Sequence, residues 1–180
     1  MVTGTPRDTP TVTGERADLL ETLGHARHFL RYTVRDLSDE QARQRTTVSE
    51  LTLGGLIKHV TAVERNWVSF IEQGPSVLPD FEAMTEQDVA RWAAVWLLQP
   101  EETLAGVLDA YAALARHTDE LVAALPDLDA SHPLPRAPWF QPGACWSARR
   151  TLLHIAAETA QHAGHADIIR ESLDGAKSMG

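Results

Sequence analysis

A single cysteine, Cys145, in 180 residues excludes an internal disulfide framework and a zinc site built from thiolates. No apolar run approaches the roughly 18 residues of a membrane span. Residues 1–14 lack the apolar stretch of a secretory signal, so the expected location is cytoplasmic. Basic residues are in deficit: 16 Lys and Arg against 25 Asp and Glu leave a net charge of −9. That excludes a broad nucleic-acid-binding face and docking on anionic lipid. Period-two alternation is missing as well, so no strand is expected, and no internal repeat is visible. What remains is 43% hydrophobic and 23% charged, the balance of a folded globular chain long enough for a sizeable core. The expected organisation is a loose Thr-, Pro- and Gly-rich arm over 1–14 followed by a single domain over 15–180.

Apolar residues at steps of three and four predict the helices. Leu19, Leu23, Ala26, Leu30, Val34 and Leu37 share one face, and Ser38 with Gln41 fits a capping box for a short second piece. A second long helix is expected over 52–73, its stripe running from Leu53 through Val60 and Trp67 to Phe70, stopped by Gly74 and Pro75. Thr85 with Asp88 caps a short helix expected to carry Trp92 and Trp96 one turn apart. Pro100, with Glu101 and Glu102 behind it, reads as the opening of a third long helix that Pro126 ends. Residues 126–146 hold five prolines, a connection long enough to suggest function, and Trp139 and Phe140 favour a packed loop. Ser147 caps the fourth long helix, closed by Gly175. The fold class is all-α, a four-helix bundle with short extra helices in the connections.

Eight histidines are the unusual count, and the last helix concentrates them. At about 100° per residue, with His154 as origin, Glu158 lies at about 40°, His162 at about 80° and His165 at about 20°. Such an arc is commonly just a solvated face, yet Leu152, Ile155, Ile168 and Ile169 on the same helix let part of it point inward. One ion cannot use all four groups, because His154 and His165 are roughly 16 Å apart along the axis. His154/Glu158 and Glu158/His162 are i,i+4 pairs and His162/His165 an i,i+3 pair, so each can converge on one ion. A third ligand must come from another helix. His59 sits at the edge of its helix's buried face, and Gly55 one turn earlier leaves room beside the imidazole. Two His and a Glu from facing helices suit a catalytic zinc with its fourth position open.

The stretch from Leu56 to Trp67, with His59 and Glu64, and the stretch from Trp146 to Glu171, with His154, Glu158, His162 and His165, resemble the DinB-like superfamily. More narrowly they are similar to an actinobacterial branch near the N-terminal domains of mycothiol-dependent maleylpyruvate isomerases. The resemblance implies an up-down-down-up bundle, often dimeric, holding a divalent metal through one His on the second long helix and a pair four residues apart on the last. Many relatives use two histidines for that pair. Here Glu158 takes the first position, a pattern that the maleylpyruvate isomerase relatives share, so the implied ligands are His59, Glu158 and His162. Registers with His154 or His165 in place of Glu158 stay open.

The implied chemistry joins a low-molecular-weight thiol such as mycothiol to a small electrophile, or isomerises through a thiol adduct. Zinc is the first choice of ion, with nickel or iron as alternatives, since two His and one carboxylate also serve non-haem iron. A non-catalytic metal-binding or stress-response bundle is the rival class. His165 reads as a partner of a ligand or a proton shuttle. Arg149 and Arg170 are read as salt-bridge partners ahead of anion holders. The five tryptophans are read as core before pocket wall, and Cys145 as structural. The expected partners are a small-molecule thiol, an electrophile and a second copy of the chain, with neither nucleic acid nor membrane.

Overall fold

In a computed structural model, residues 12–80 and 83–178 are described; most of the expected arm, up to residue 11, lies outside them. Six α-helices are present among these residues: α1 Glu15–Tyr32, α2 Asp39–Arg43, α3 Leu53–Gln73, α4 Glu86–Ala94, α5 Leu104–Ala124 and α6 Ala148–Asp174. The long ones, α1, α3, α5 and α6, form the bundle.

Two apolar layers fix its sense. One joins Leu19 and Leu23 of α1, Val68 and Ile71 of α3, Val122 of α5, and Leu152 and Ile155 of α6. The other joins Leu30 of α1, Leu53 to Val60 of α3, Leu104 and Tyr111 of α5, and Ala163 to Ile169 of α6. The first half of α1 therefore meets the second half of α3, the second half of α5 and the first half of α6. The helices run up, down, down and up. Neighbours around the bundle are α1–α6, α6–α3, α3–α5 and, with the least contact of the four, α5–α1. Each fully buried Leu or Ile in these layers contributes about 1.5–3 kcal/mol.

The helix ends follow local chemistry. Ser38 and Thr85 make reciprocal capping boxes with Gln41 and Asp88. Thr52, Thr103 and Ser147 cap α3, α5 and α6 through their hydroxyls. Two expectations shift here. The third long helix opens behind Thr103 rather than at Pro100, because the Thr103 hydroxyl accepts from Gly106 N while Glu102 is drawn away to Lys58. Trp96 lies beyond the end of α4, not one turn up it from Trp92.

The expectation of no strand is corrected too. Ser131–Pro133 (β1) and Cys145–Ser147 (β2) pair antiparallel, with His132 opposite Trp146. Three-residue strands are too short to show alternation, which is why the sequence hides them. Their ribbon clips the proline-rich connection to the bundle: His132 packs on Phe70 and Trp146 stacks on Trp67 at 4.8 Å between ring centroids.

Between the two apolar layers lies a polar level. Arg27 of α1 donates twice to Glu64 of α3, at 2.5 and 3.3 Å, and once to Asp119 of α5 at 2.7 Å. The Thr118 hydroxyl donates to the same Glu64 at 2.7 Å. Glu64 is fully buried, and the forked Arg27 contact satisfies both of its oxygens.

Candidate metal centre

At this middle level, on the α3–α6 side, His59, Glu158 and His162 come together. Each offers one donor atom within 4.8 Å of the other two. His59 and His162 are buried and Glu158 is half-buried. Nε2 of His162 lies 3.7 Å from Oε2 of Glu158, close to the spacing of about 3.4 Å between two donors on one tetrahedral zinc. Closing the remaining spread takes about an ångström of side-chain movement. Burial first of all pushes the His59 imidazole down to about 4, helped by the facing His162 and opposed by Glu158. His59 is thus neutral at pH 7, the form that ligates. The neighbouring His162 holds the Glu158 carboxyl below its ordinary value, against the opposing effect of burial. Two imidazoles and a carboxylate, from two rigid helices, can hold a divalent metal.

The remaining histidines of α6 take different places. Nδ1 of His165 lies 3.3 Å from Nδ1 of His162, on the side of that ring away from Nε2. His154 lies edge-on to Trp67 and Trp146, at 5.1 and 4.9 Å between ring centroids, and burial lowers its pKa. His154 borders the cavity but is not among the residues whose donor atoms converge.

Gly55 acts differently from the sequence expectation. Its missing side chain makes room for the backbone of Trp96, since a Cβ there would lie 1.9 Å from the Trp96 carbonyl oxygen. That approach lays the Trp96 indole on His59, with ring centroids 3.5 Å apart and planes 16° apart. Lys58, next to His59, donates to the carbonyls of Ala94 and Leu97 and pairs with Glu102 at 2.6 Å. Arg43 donates to the carbonyls of Leu98 and Gln99. The chain that carries Trp96 is therefore tied down on both sides.

A cavity of about 400 Å³ opens beside the cluster, lined by His59, Glu158 and His154 together with Asn66, Trp67, Trp92, Trp139 and Phe140. None of the five tryptophans is fully buried: Trp96 and Trp67 pack against the two apolar layers, as the core reading expects, while Trp92 and Trp139, with one side of Trp67, line the cavity instead. Arg149 pairs with Glu15 and Asp129 at the surface. Arg170 is buried and donates to the carbonyls of Thr33 and Arg35. Arg149 is a surface salt-bridge partner, as expected; Arg170 also pairs with Asp174 but is buried. Cys145 is exposed on β2.

The family model described as mycothiol-S-transferase matches residues 18–175. The chain belongs to that family. It is a member of the DinB-like superfamily, and the family's description supports a transferase acting on a thiol. Among solved structures, a conserved protein from Enterococcus faecalis superposes with a TM-score of 0.66 at 15% identity, over 92% of this chain and 100% of that one. At that identity the likeness shows the fold alone. No individually curated protein matches in sequence. No helix among the described residues is long and apolar enough to cross a membrane.

Proposed function

We propose that the protein is a divalent-metal-dependent thiol transferase, joining a mycothiol-like thiol to a small electrophile. The observation that carries this reading is the convergence of the His59, Glu158 and His162 donors beside an aromatic cavity that His59 and Glu158 line, in a chain of the mycothiol-S-transferase family. His59 and His162 as neutral imidazoles and Glu158 as a carboxylate would be the ligands, and zinc is the ion best suited to three such donors with one position left open. A bound divalent ion lowers the pKa of a coordinated thiol and supplies thiolate at neutral pH. The surrounding residues prepare that position. Burial keeps His59 unprotonated, and Trp96 covers one face of its ring. With Nε2 of His162 directed to the cluster, its proton resides on Nδ1 and is donated to Nδ1 of His165, which fixes the ring's tautomer and orientation. His165 thus acts through His162 as a positioning residue, holding the imidazole that would ligate the ion.

The test is a transfer assay with the zinc-loaded protein, mycothiol and a haloaromatic electrophile, reading the thioether by mass spectrometry. Thioether formation above the rate in buffer, lost in His162→Ala, supports the proposal. Absence of any acceleration with metal demonstrably bound leaves a metal-binding bundle without transferase activity. Iron at the site together with oxygen consumption would replace the proposal with a redox one.

A further inference from the structure

We propose that the electrophile taken by this site is a neutral, planar molecule, aromatic or conjugated, held against Trp92 and Trp139; this rests on the thiol-transfer reading above. Trp92 and Trp139 are 53% and 61% exposed. Among the described residues they are the two most exposed of the Phe, Tyr and Trp rings, with Tyr32 next at 40%, and both border the cavity that holds His59 and Glu158. They arrive from different elements, Trp92 from α4 and Trp139 from the connection clipped down by β1 and β2. Trp67 and Phe140 line the same space, with ring centroids 6.5 Å apart and nearly perpendicular planes. A flat ring finds four aromatic surfaces to stack on or meet edge-on. The volume of about 400 Å³ is at the small end of the range for ligand pockets, enough for one or two rings beside a thiol sulfur.

Charge selects against ionised electrophiles. Among the described residues no Lys or Arg lines the cavity, and the one acidic side chain on its wall is Glu158. With a divalent ion, that carboxylate and a thiolate in place, the formal charge of the site is zero. A carboxylate on the electrophile finds no cation to pair with, and an ammonium finds no unneutralised acid. For a chloroarene, the transfer forms one C–S bond from the thiolate sulfur to the ring carbon. The C–Cl bond breaks with its electron pair leaving on chloride, and the thiol proton passes to the buffer.

Three unreactive probes sharing one ring separate the possibilities: 3,5-dinitrobenzamide, 3,5-dinitrobenzoate and 3,5-dinitrobenzylammonium. Their binding to the zinc-loaded full chain saturated with mycothiol is read by calorimetry. The neutral amide is expected to bind about tenfold or more tighter than either ion. Trp92→Ala with Trp139→Ala is expected to weaken amide binding by about tenfold or more, and the paired Phe substitutions to restore most of it. Equal or tighter binding of the benzoate or the ammonium, undiminished binding by the double alanine variant, or no measurable binding of the amide overturns the proposal. A separate assay with mycothiol and 1-chloro-2,4-dinitrobenzene keeps the two readings apart. Amide binding without thioether formation leaves the pocket assignment standing and removes the transferase. Thioether formation with no preference among the probes does the reverse.

Discussion

The indole of Trp96 lies flat on the imidazole of His59 because residue 55 has no side chain to keep the Trp96 backbone away. Gly55→Ala forces a Cβ into the Trp96 carbonyl, so the segment must move and the indole with it. The expected cost is about 1–3 kcal/mol of stability from overpacking, partly offset by the better helix propensity of alanine. Zinc affinity is expected to fall about tenfold as His59 loses its cover. Denaturant unfolding and a zinc titration check both, and unchanged affinity with a displaced indole would show that Trp96 has no part in holding His59.

Acid should loosen the metal-free protein in a defined window. The folded-state value of His59 is lowered from 6.5 to about 4, so the unfolded chain binds more protons between those values. The stabilising effect of keeping His59 neutral is complete above about pH 6.5 and gone below about pH 4. His154, lowered by burial, adds in the same sense. Glu158, also lowered, adds stability that is lost on acidification through its folded-state value. The His59 part is about 2 kcal/mol once water reaching the pocket is discounted. Chemical unfolding of chelator-treated protein across this range should show the slope, and His59→Asn should flatten it.

Glu64 tests whether the polar level is structural. Glu64→Ala leaves the Arg27 guanidinium buried without its forked partner and should cost about 3–5 kcal/mol. Arg27→Met combined with Glu64→Leu should cost less than either single change, because no buried charge is then left over. Neither should alter zinc stoichiometry at temperatures where the fold persists. A loss of metal in these variants would couple the buried pair to the site.

His165→Ala should keep one zinc per chain but weaken its binding by about 10–100-fold, since it removes the partner of His162 Nδ1 and not a ligand. Complete loss of zinc would make His165 a ligand in place of Glu158.

The bundle was legible because its stripes are long: α3 and α6 each span five turns or more, and their caps are written in Thr52, Ser147 and Gly175. The polar arc of α6 was legible from spacing, and the resemblance pointed to the same three residues. Arc arithmetic could not separate His154 from Glu158, because the two differ by about 40° and only packing against α3 chooses between them. The tie between Gly55 and Trp96 was hidden because it joins residues 41 positions apart through backbone contact, which no periodicity records. The strands were too short to show a pattern. Glu64 sits in the quoted stretch, yet its burial against Arg27 depends on α1 crossing at that height.

The most direct test is zinc content per chain, by elemental analysis after equilibrium dialysis, for the native protein and for His59→Ala, Glu158→Ala, His162→Ala and His25→Ala. One zinc is expected in the native protein and in His25→Ala, a residue on α1, and none or nearly none in the other three. Full retention of zinc in His59→Ala, Glu158→Ala or His162→Ala would contradict it.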